Sequence, residues 1–272
     1  MRARIELEHT ALNVDLSRPV SIAIDLDFSA QPRHFGAPVA LTRPWSVPGF
    51  SGSVAQGASC NCHMLTLIPH CNGTHTESVG HLTTDPLDAF RIVPPGLVPA
   101  LLLSVEPVDV QDGESVDPPS RAGDLRITRR ALLKSWPRNL PFEPNGLILR
   151  TLPNGADKKQ RDYTELTAAY LTSEAAQCLV ERGVQHLVVD LPSIDRTHDE
   201  GRLTAHRIFF GLPPGSRALS EATRSRATIT EFAYIPNGLA DGAYLLEIQT
   251  PAIAGDAVPS RPVLYALESL NP

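Results

Sequence analysis

The chain has no basic stripe: its 272 residues carry 24 Lys and Arg against 30 Asp and Glu, a net charge of -6. That balance argues against nucleic-acid binding and against docking on an acidic membrane, and it suits a small-molecule partner. Long apolar runs are also missing. The longest, Leu97 to Val105, is interrupted by Pro99 and Ser104 and falls short of the roughly 18 residues that span a bilayer. The first residues, MRARIELEHT, lack the apolar core of a signal peptide, so a cytoplasmic protein is expected. Cysteine is scarce as well: Cys60, Cys62, Cys71 and Cys178 are too few for a disulfide framework in a chain this long, which predicts reduced thiols. With no internal repeat, low-complexity tract or linker, a single domain over residues 1–272 is expected.

What the chain does have is proline, 25 residues in all against a usual frequency of about 5%, and so many set loops. Alternation at Val20, Ile22, Ile24 and Leu26 predicts a strand within Arg2 to Phe28. Gln31 to Gly57, without periodicity, reads as a long surface loop, and Cys60 to Ile68 as a strand. Ile92 to Val110, Leu147 to Thr151, Leu187 to Asp190 and Val263 to Leu267 read as further strands, with an acidic loop over Gln111 to Asp124. Helices are predicted over Thr128 to Trp136 and over Thr172 to Arg182, the second with Thr172 or Ser173 as cap and Gly183 past its end. Ala227 to Ile235 and Ala243 to Gln249 read as paired strands joined at Pro236-Asn237-Gly238. The helix, glycine turn and apolar strand around Gly183 make an αβ unit. The fold class expected is α/β, a single domain with a mixed, partly barrel-like sheet flanked by helices.

One window concentrates chemistry. Pro69-His70-Cys71-Asn72-Gly73-Thr74-His75-Thr76-Glu77-Ser78-Val79-Gly80-His81 holds three imidazoles, a thiol and a carboxylate, the side chains that bind zinc and similar ions. Gly73 supplies a turn that lets them converge, and Cys71, His75 and Glu77 are the ligand candidates. His81 is left for proton transfer, since imidazole titrates near neutrality. A second cluster, Asp190-Leu191-Pro192-Ser193-Ile194-Asp195, follows a buried strand, where α/β sheets collect ligands. Asp195 and Ser193 there are candidates for metal or substrate, or caps and turn formers.

Together these residues resemble the cyclase family of metal-dependent hydrolases, which includes bacterial kynurenine formamidase and isatin hydrolase. The family hallmark is His, any residue, Gly-Thr-His, any residue, Asp, then a Pro and a further His. Gly73-Thr74-His75, Glu77 and His81 stand at matching offsets, and the likeness continues through Asp15-Leu16-Ser17, Asp190 to Asp195, His206 and Ile229-Thr230-Glu231. The resemblance implies metal binding by His75 and Glu77, completed by His206 and Glu231 or with a second ion, and His81 as catalytic acid/base. This sequence departs from the pattern in three places. Cys71 stands for the first histidine, with His70 one place out of register, Glu77 for the aspartate, and Val79 for the proline. The stretch from His206 to Glu231 is also longer than in the formamidases.

The family implies a divalent ion, one or two per chain, and a homodimer or homotetramer; a soft Cys71 thiolate among the ligands would favour zinc over manganese. The activity implied is hydrolysis of the C–N bond of a small amide, an aryl formamide or a cyclic amide. Phe35 and Trp45 are candidates to wall the substrate pocket. A rival serine reading fails because Gly49-Phe50-Ser51-Gly52-Ser53 lacks the second glycine of a nucleophile elbow. A structural zinc site on Cys60, Cys62, Cys71 and His75 has too tight a first spacing. The rival from another class is an inactive family member that binds a small aromatic ligand.

Overall fold

The apolar runs of the sequence become the centre of a sheet. Val98–Val105, Gly146–Thr151, His186–Val189 and Thr228–Glu231 lie side by side in parallel. Alternate residues leave opposite faces. Leu101, Leu103, Leu147, Leu149, Leu187 and Val189 pack with Leu132, Ala175, Leu179 and Phe209 of three short helices. Ala100, Leu102, Ile148 and Val188 pack with Ile22, Tyr244, Leu246 and Leu264 instead. Burial on both faces is why these strands read as unbroken apolar runs.

The computed structural model describes residues 1–7, 10–109 and 113–269. The first residues of the acidic loop expected at Gln111 to Asp124 lie outside them. Among the described residues the main sheet has eleven strands. On one side of the parallel centre come Gly242–Gln249, Arg261–Ser269, Thr10–Asp15 and Arg2–Leu7, with Val20–Ser21 also beside Arg261–Ser269. On the other side come His75–Glu77 and Ala257–Pro259, both antiparallel additions. The α/β class with a mixed sheet and few helices therefore holds. No helix among the described residues is long and apolar enough to cross a membrane.

Both expected helices are present, as Arg129–Ser135 and Ser173–Glu181. Thr128 Oγ1 accepts the Ala131 N–H at 3.1 Å and Thr172 Oγ1 the Ala175 N–H at 3.0 Å, so each threonine caps a free helix end. Three expectations change. Arg2 to Phe28 is a hairpin, Arg2–Leu7 with Thr10–Asp15, followed by a separate short strand. The strand expected over Cys60 to Ile68 shrinks to His63–Thr66 and pairs outside the main sheet with Leu41–Pro44, inside the segment read as a loop. Thr228–Glu231 and Gly242–Gln249 do not pair with each other. The first joins His186–Val189 and His75–Glu77, the second Val98–Val105 and Arg261–Ser269. A turn signal such as Pro236-Asn237-Gly238 reports a chain reversal, not which strand the chain meets next.

Two buried polar groups tie the sheet to the loops at its carboxyl edge. Lys158 Nζ lies 2.7 Å from Asp190 Oδ2 and donates to Thr151 O, Thr151 Oγ1 and Asn154 Oδ1. Asp190 also accepts the Thr151 N–H and Oγ1–H. Every charge is thus answered, and removing the ammonium would strand a buried carboxylate. Lys158→Met is expected to lower unfolding free energy by about 3–5 kcal/mol, measured by urea titration.

His186 is buried with its Nδ1 2.9 Å from Thr228 Oγ1. Burial, aided by the Arg224 charge, pushes its pKa down to about 4. The unfolded chain therefore binds the extra proton between about pH 6.5 and 4, and stability falls as pH drops through that window. Comparing urea midpoints near neutrality and at about pH 4.5, wild type should lose about 2 kcal/mol more than His186→Gln.

Candidate functional site

The site is seeded by strand pairing. His75 stands directly across the ladder from Glu231, and Glu77 across from Ile229. A period of two puts His75, Glu77 and Glu231 on one face. Thr76 and Thr230 share the other, with their hydroxyl oxygens 2.7 Å apart. Gly73, at φ 126, makes the reversal that brings the strand in, a conformation open to glycine. Thr74 then fastens it: its hydroxyl donates to Phe232 O at 2.5 Å and accepts the Ile24 N–H at 2.8 Å. His75 Nε2 ends 3.5 Å from Glu231 Oε2.

The helix Thr204–Phe210 delivers His206 from the loop after His186–Val189. Asp195 organises that end of the helix. Its carboxylate accepts the N–H groups of Ala205 and His206 at 2.7 and 3.0 Å and lies 2.6 Å from His206 Nδ1. With Nδ1 so engaged, Nε2 faces inward, 2.8 Å from Glu77 Oε1 and 3.6 Å from Glu231 Oε1. Glu231 is oriented in turn by the Ile194 N–H at 2.8 Å.

A third side of the cluster comes from the turn Pro69–Cys71 and the turn Val79–Leu82. His70 Nδ1 lies 3.0 Å from Glu77 Oε2, and its Nε2 lies 2.8 Å from Asp256 Oδ2. His81 Nδ1 lies 3.4 Å from the same Asp256 oxygen, and the rings of His70 and His81 are 4.1 Å apart. Gly80 leaves no room for a side chain, since a Cβ there would come within 2.8 Å of Leu87 O. Donor atoms of His70, Glu77 and His81 lie within 4.8 Å of one another, as do those of His75, Glu77 and Glu231.

These donors fit a cation better than they fit each other. Among the described residues, His75 Nε2, His206 Nε2 and both Glu77 oxygens are buried without a hydrogen bond. The short Glu77 to imidazole separations are therefore close approaches that lack hydrogen-bond alignment. Atoms that converge without bonding are the arrangement of ligands round a common centre. Electrostatics agree. Burial would raise Glu77, but facing His81 and His206 hold it well below the usual carboxylate range. Burial would lower His206, yet Glu77 and Asp195 hold it well above the usual histidine value. His70, likewise desolvated, is raised to about 10 by Asp256 and Glu77. The carboxylates demand positive charge, and a divalent ion is another way to supply it.

The cluster floors a cleft of about 750 Å³, within the usual range for small-molecule sites. Phe35, Ile68, Pro192, Ser193, His198 and Leu203 are among its walls, with Cys71, Glu77, His81, His206 and Glu231 at its base. The non-glycine residues with left-handed backbone, among those described, all border the site. Phe35, Glu200 and Leu203 line the cleft, and Phe232 follows Glu231. Strain of this kind persists where the surrounding structure enforces it, commonly at functional sites.

Placed against the sequence reading, His75, Glu77, His206, Glu231 and His81 come together, and Phe35 and Ser193 line the cleft. One expectation fails, and one open alternative is decided in favour of the cap. Trp45 is not among the lining residues but sits on the outer hairpin, about half exposed, because Leu41–Pro44 turns away to pair with His63–Thr66. Asp195 touches His206 and the helix end instead of facing the cleft. Cys71 lines the cleft, but its thiol is in neither donor group, and burial with the Glu231 charge pushes its pKa up. Asp256 belongs to none of the motifs the sequence shows. Its only signal is a lone acid in the run Pro251-Ala252-Ile253-Ala254-Gly255-Asp256-Ala257-Val258-Pro259.

Solved structures share the fold. A predicted metal-dependent hydrolase from Bacillus stearothermophilus is 15% identical, with TM-score 0.57 over 91% of this chain and 98% of that one. Isatin hydrolase A from Ralstonia solanacearum is 15% identical, with TM-score 0.58 over 92% of each chain. Isatin hydrolase A from Labrenzia aggregata, bound to benzyl benzoate, is 14% identical, with TM-score 0.54 over 92% of this chain and 93% of that one. No curated protein matches by sequence. The family described as "Putative cyclase" matches residues 14–196, well over half of the chain and including the His75 and Asp190 to Asp195 motifs. By that match the chain belongs to the putative cyclase family.

Proposed function

We propose that the protein is a metal-dependent hydrolase that cleaves the C–N bond of a small amide, an aryl formamide or a cyclic amide. The observation that carries this reading is the group of buried, unbonded imidazole and carboxylate atoms at the base of a cleft. His75, Glu77, His206 and Glu231 would hold the ion, zinc foremost or manganese, as one centre or two sharing Glu77. When bound, such an ion supplies a Lewis acid and an activated water.

The chain's own residues supply the rest. Asp195 and the Ile194 N–H fix His206 and Glu231, so that the donors are set before any ligand arrives. Phe35, Ile68, Pro192 and Leu203 offer apolar walls to an aryl ring and exclude water from it. His81, half-buried at the cleft base and backed by Asp256, hands a proton to the departing nitrogen, whose expulsion as an anion is otherwise the hard step. Likeness to isatin hydrolases in fold supports the cyclic-amide arm of this proposal.

The reading is tested by metal analysis with hydrolysis assays on an aryl formamide and a cyclic amide. Metal-loaded wild type should turn over at least one of them. His81→Ala should keep its metal and lose about 10²- to 10⁴-fold in kcat. A metal-replete protein that hydrolyses neither substrate, and binds an aromatic ligand unchanged, would sink the enzyme reading in favour of a binding protein.

We also propose a homodimer or homotetramer. Leu41, Trp45, Val47 and Leu65 are each exposed on the outer hairpins, apolar area that a partner copy would cover. Light scattering should report two or four chains, and a monomer at all concentrations would contradict this.

A further inference from the structure

We infer that His70, held by Asp256, takes the place in the metal centre that the family motif assigns to the histidine position occupied here by Cys71. This rests on the metal reading above and concerns how this chain keeps its centre without the usual residue.

The backbone makes the exchange. Pro69–Cys71 is a single 3₁₀ turn, in which consecutive side chains splay by about 120°, so His70 and Cys71 cannot both aim at the same point. The turn is closed by the Cys71 and Asn72 N–H groups on Ile68 O, at 3.0 and 3.1 Å. Asn72 locks it, accepting the Ile68 N–H at 2.7 Å through Oδ1 and donating to Pro38 O at 2.9 Å. In this locked turn the imidazole of His70 reaches Glu77 Oε2 at 3.0 Å. Cys71, though at the cleft base, contributes to neither group of converging donors.

Asp256 completes the substitution. Its carboxylate occupies His70 Nε2 at 2.8 Å, leaving Nδ1 as the nitrogen that faces the cluster. Histidine ligands are ordinarily fixed in this way, with one ring nitrogen on the ion and the other on a carboxylate. Asp256 is well placed to do so because the strand it precedes, Ala257–Pro259, pairs with His75–Glu77, and Asp256 O accepts the Ser78 N–H at 2.9 Å. Asp256 lies beyond the residues 14–196 that match the family, so the motif itself does not foretell it. His70 would be a ligand, and Asp256 a positioning residue acting through it.

The test is zinc and cobalt binding to the whole protein, stripped of metal and titrated, for wild type and for Cys71→Ser, His70→Ala, Asp256→Asn and Asp256→Glu. Cys71→Ser should bind with the stoichiometry and affinity of wild type. His70→Ala should lose about 100-fold or more in affinity or one ion per chain, and Asp256→Asn about 10- to 100-fold, with partial recovery in Asp256→Glu. The cobalt form of wild type should show no thiolate-to-cobalt charge-transfer band in the near ultraviolet. Thermal unfolding of the metal-free variants serves as the check on folding. If His70→Ala does not fold, the cobalt spectra of wild type and Cys71→Ser still decide. A charge-transfer band that vanishes in Cys71→Ser, or wild-type affinity in a folded His70→Ala, overturns the inference while leaving the metal reading intact. No stoichiometric metal in wild type overturns both.

Discussion

The structure depends on how buried negative charge is answered at the carboxyl edge of the sheet. Glu77 and Glu231 are buried on one face of two neighbouring strands, with Asp195 close behind. An isolated buried carboxylate is costly, by far more than the net stability of a domain can bear if unanswered. Imidazoles of His75, His206 and His70 surround them, yet the inward-facing atoms are close without being bonded. A cluster with so many donors and so few hydrogen bonds is arranged for a centre of positive charge. The rest of the fold supplies the means to keep it in place: a ladder pair, a helix end capped by Asp195, and two short turns.

That arrangement also separates tasks among similar residues. Lys158 answers Asp190 with a full set of hydrogen bonds, so this second buried charge pair is closed and structural. His186, equally a buried histidine, has one hydroxyl partner and no carboxylate, and burial keeps it neutral. His206 sits between Asp195 and Glu77, whose charges raise its pKa well above the usual histidine value against the effect of burial. Burial alone therefore does not mark a functional histidine; burial among carboxylates, with a nitrogen left unbonded, does.

Much of this was legible in the sequence. The strands of the sheet's centre are legible as apolar runs, though not their parallel pairing, and both helices as segments, the second with its cap at Thr172 or Ser173. The five side chains His75, Glu77, His81, His206 and Glu231 could be gathered because they recur at family spacings. What failed was long-range or directional. Pairing of Thr228–Glu231 with His75–Glu77, across more than a hundred residues, leaves no local trace, and a turn at Pro236 to Gly238 suggested a hairpin in its stead. Trp45 reads as a pocket wall because nothing in its neighbourhood says that its hairpin turns outward. Asp195 serves the helix end rather than the cleft, and whether an acid after a strand does one or the other depends on where the next helix begins. Asp256 belongs to no motif, and only the pairing of Ala257–Pro259 against His75–Glu77 brings it to His70.

We propose that these buried donors hold a divalent ion. Anomalous diffraction recorded on either side of the zinc absorption edge, from crystals grown with zinc, tests it most directly. A peak lying among His75, Glu77, His206 and Glu231 is the predicted result. An empty cluster, or zinc found instead at the exposed thiols of Cys60 and Cys62, would contradict the account.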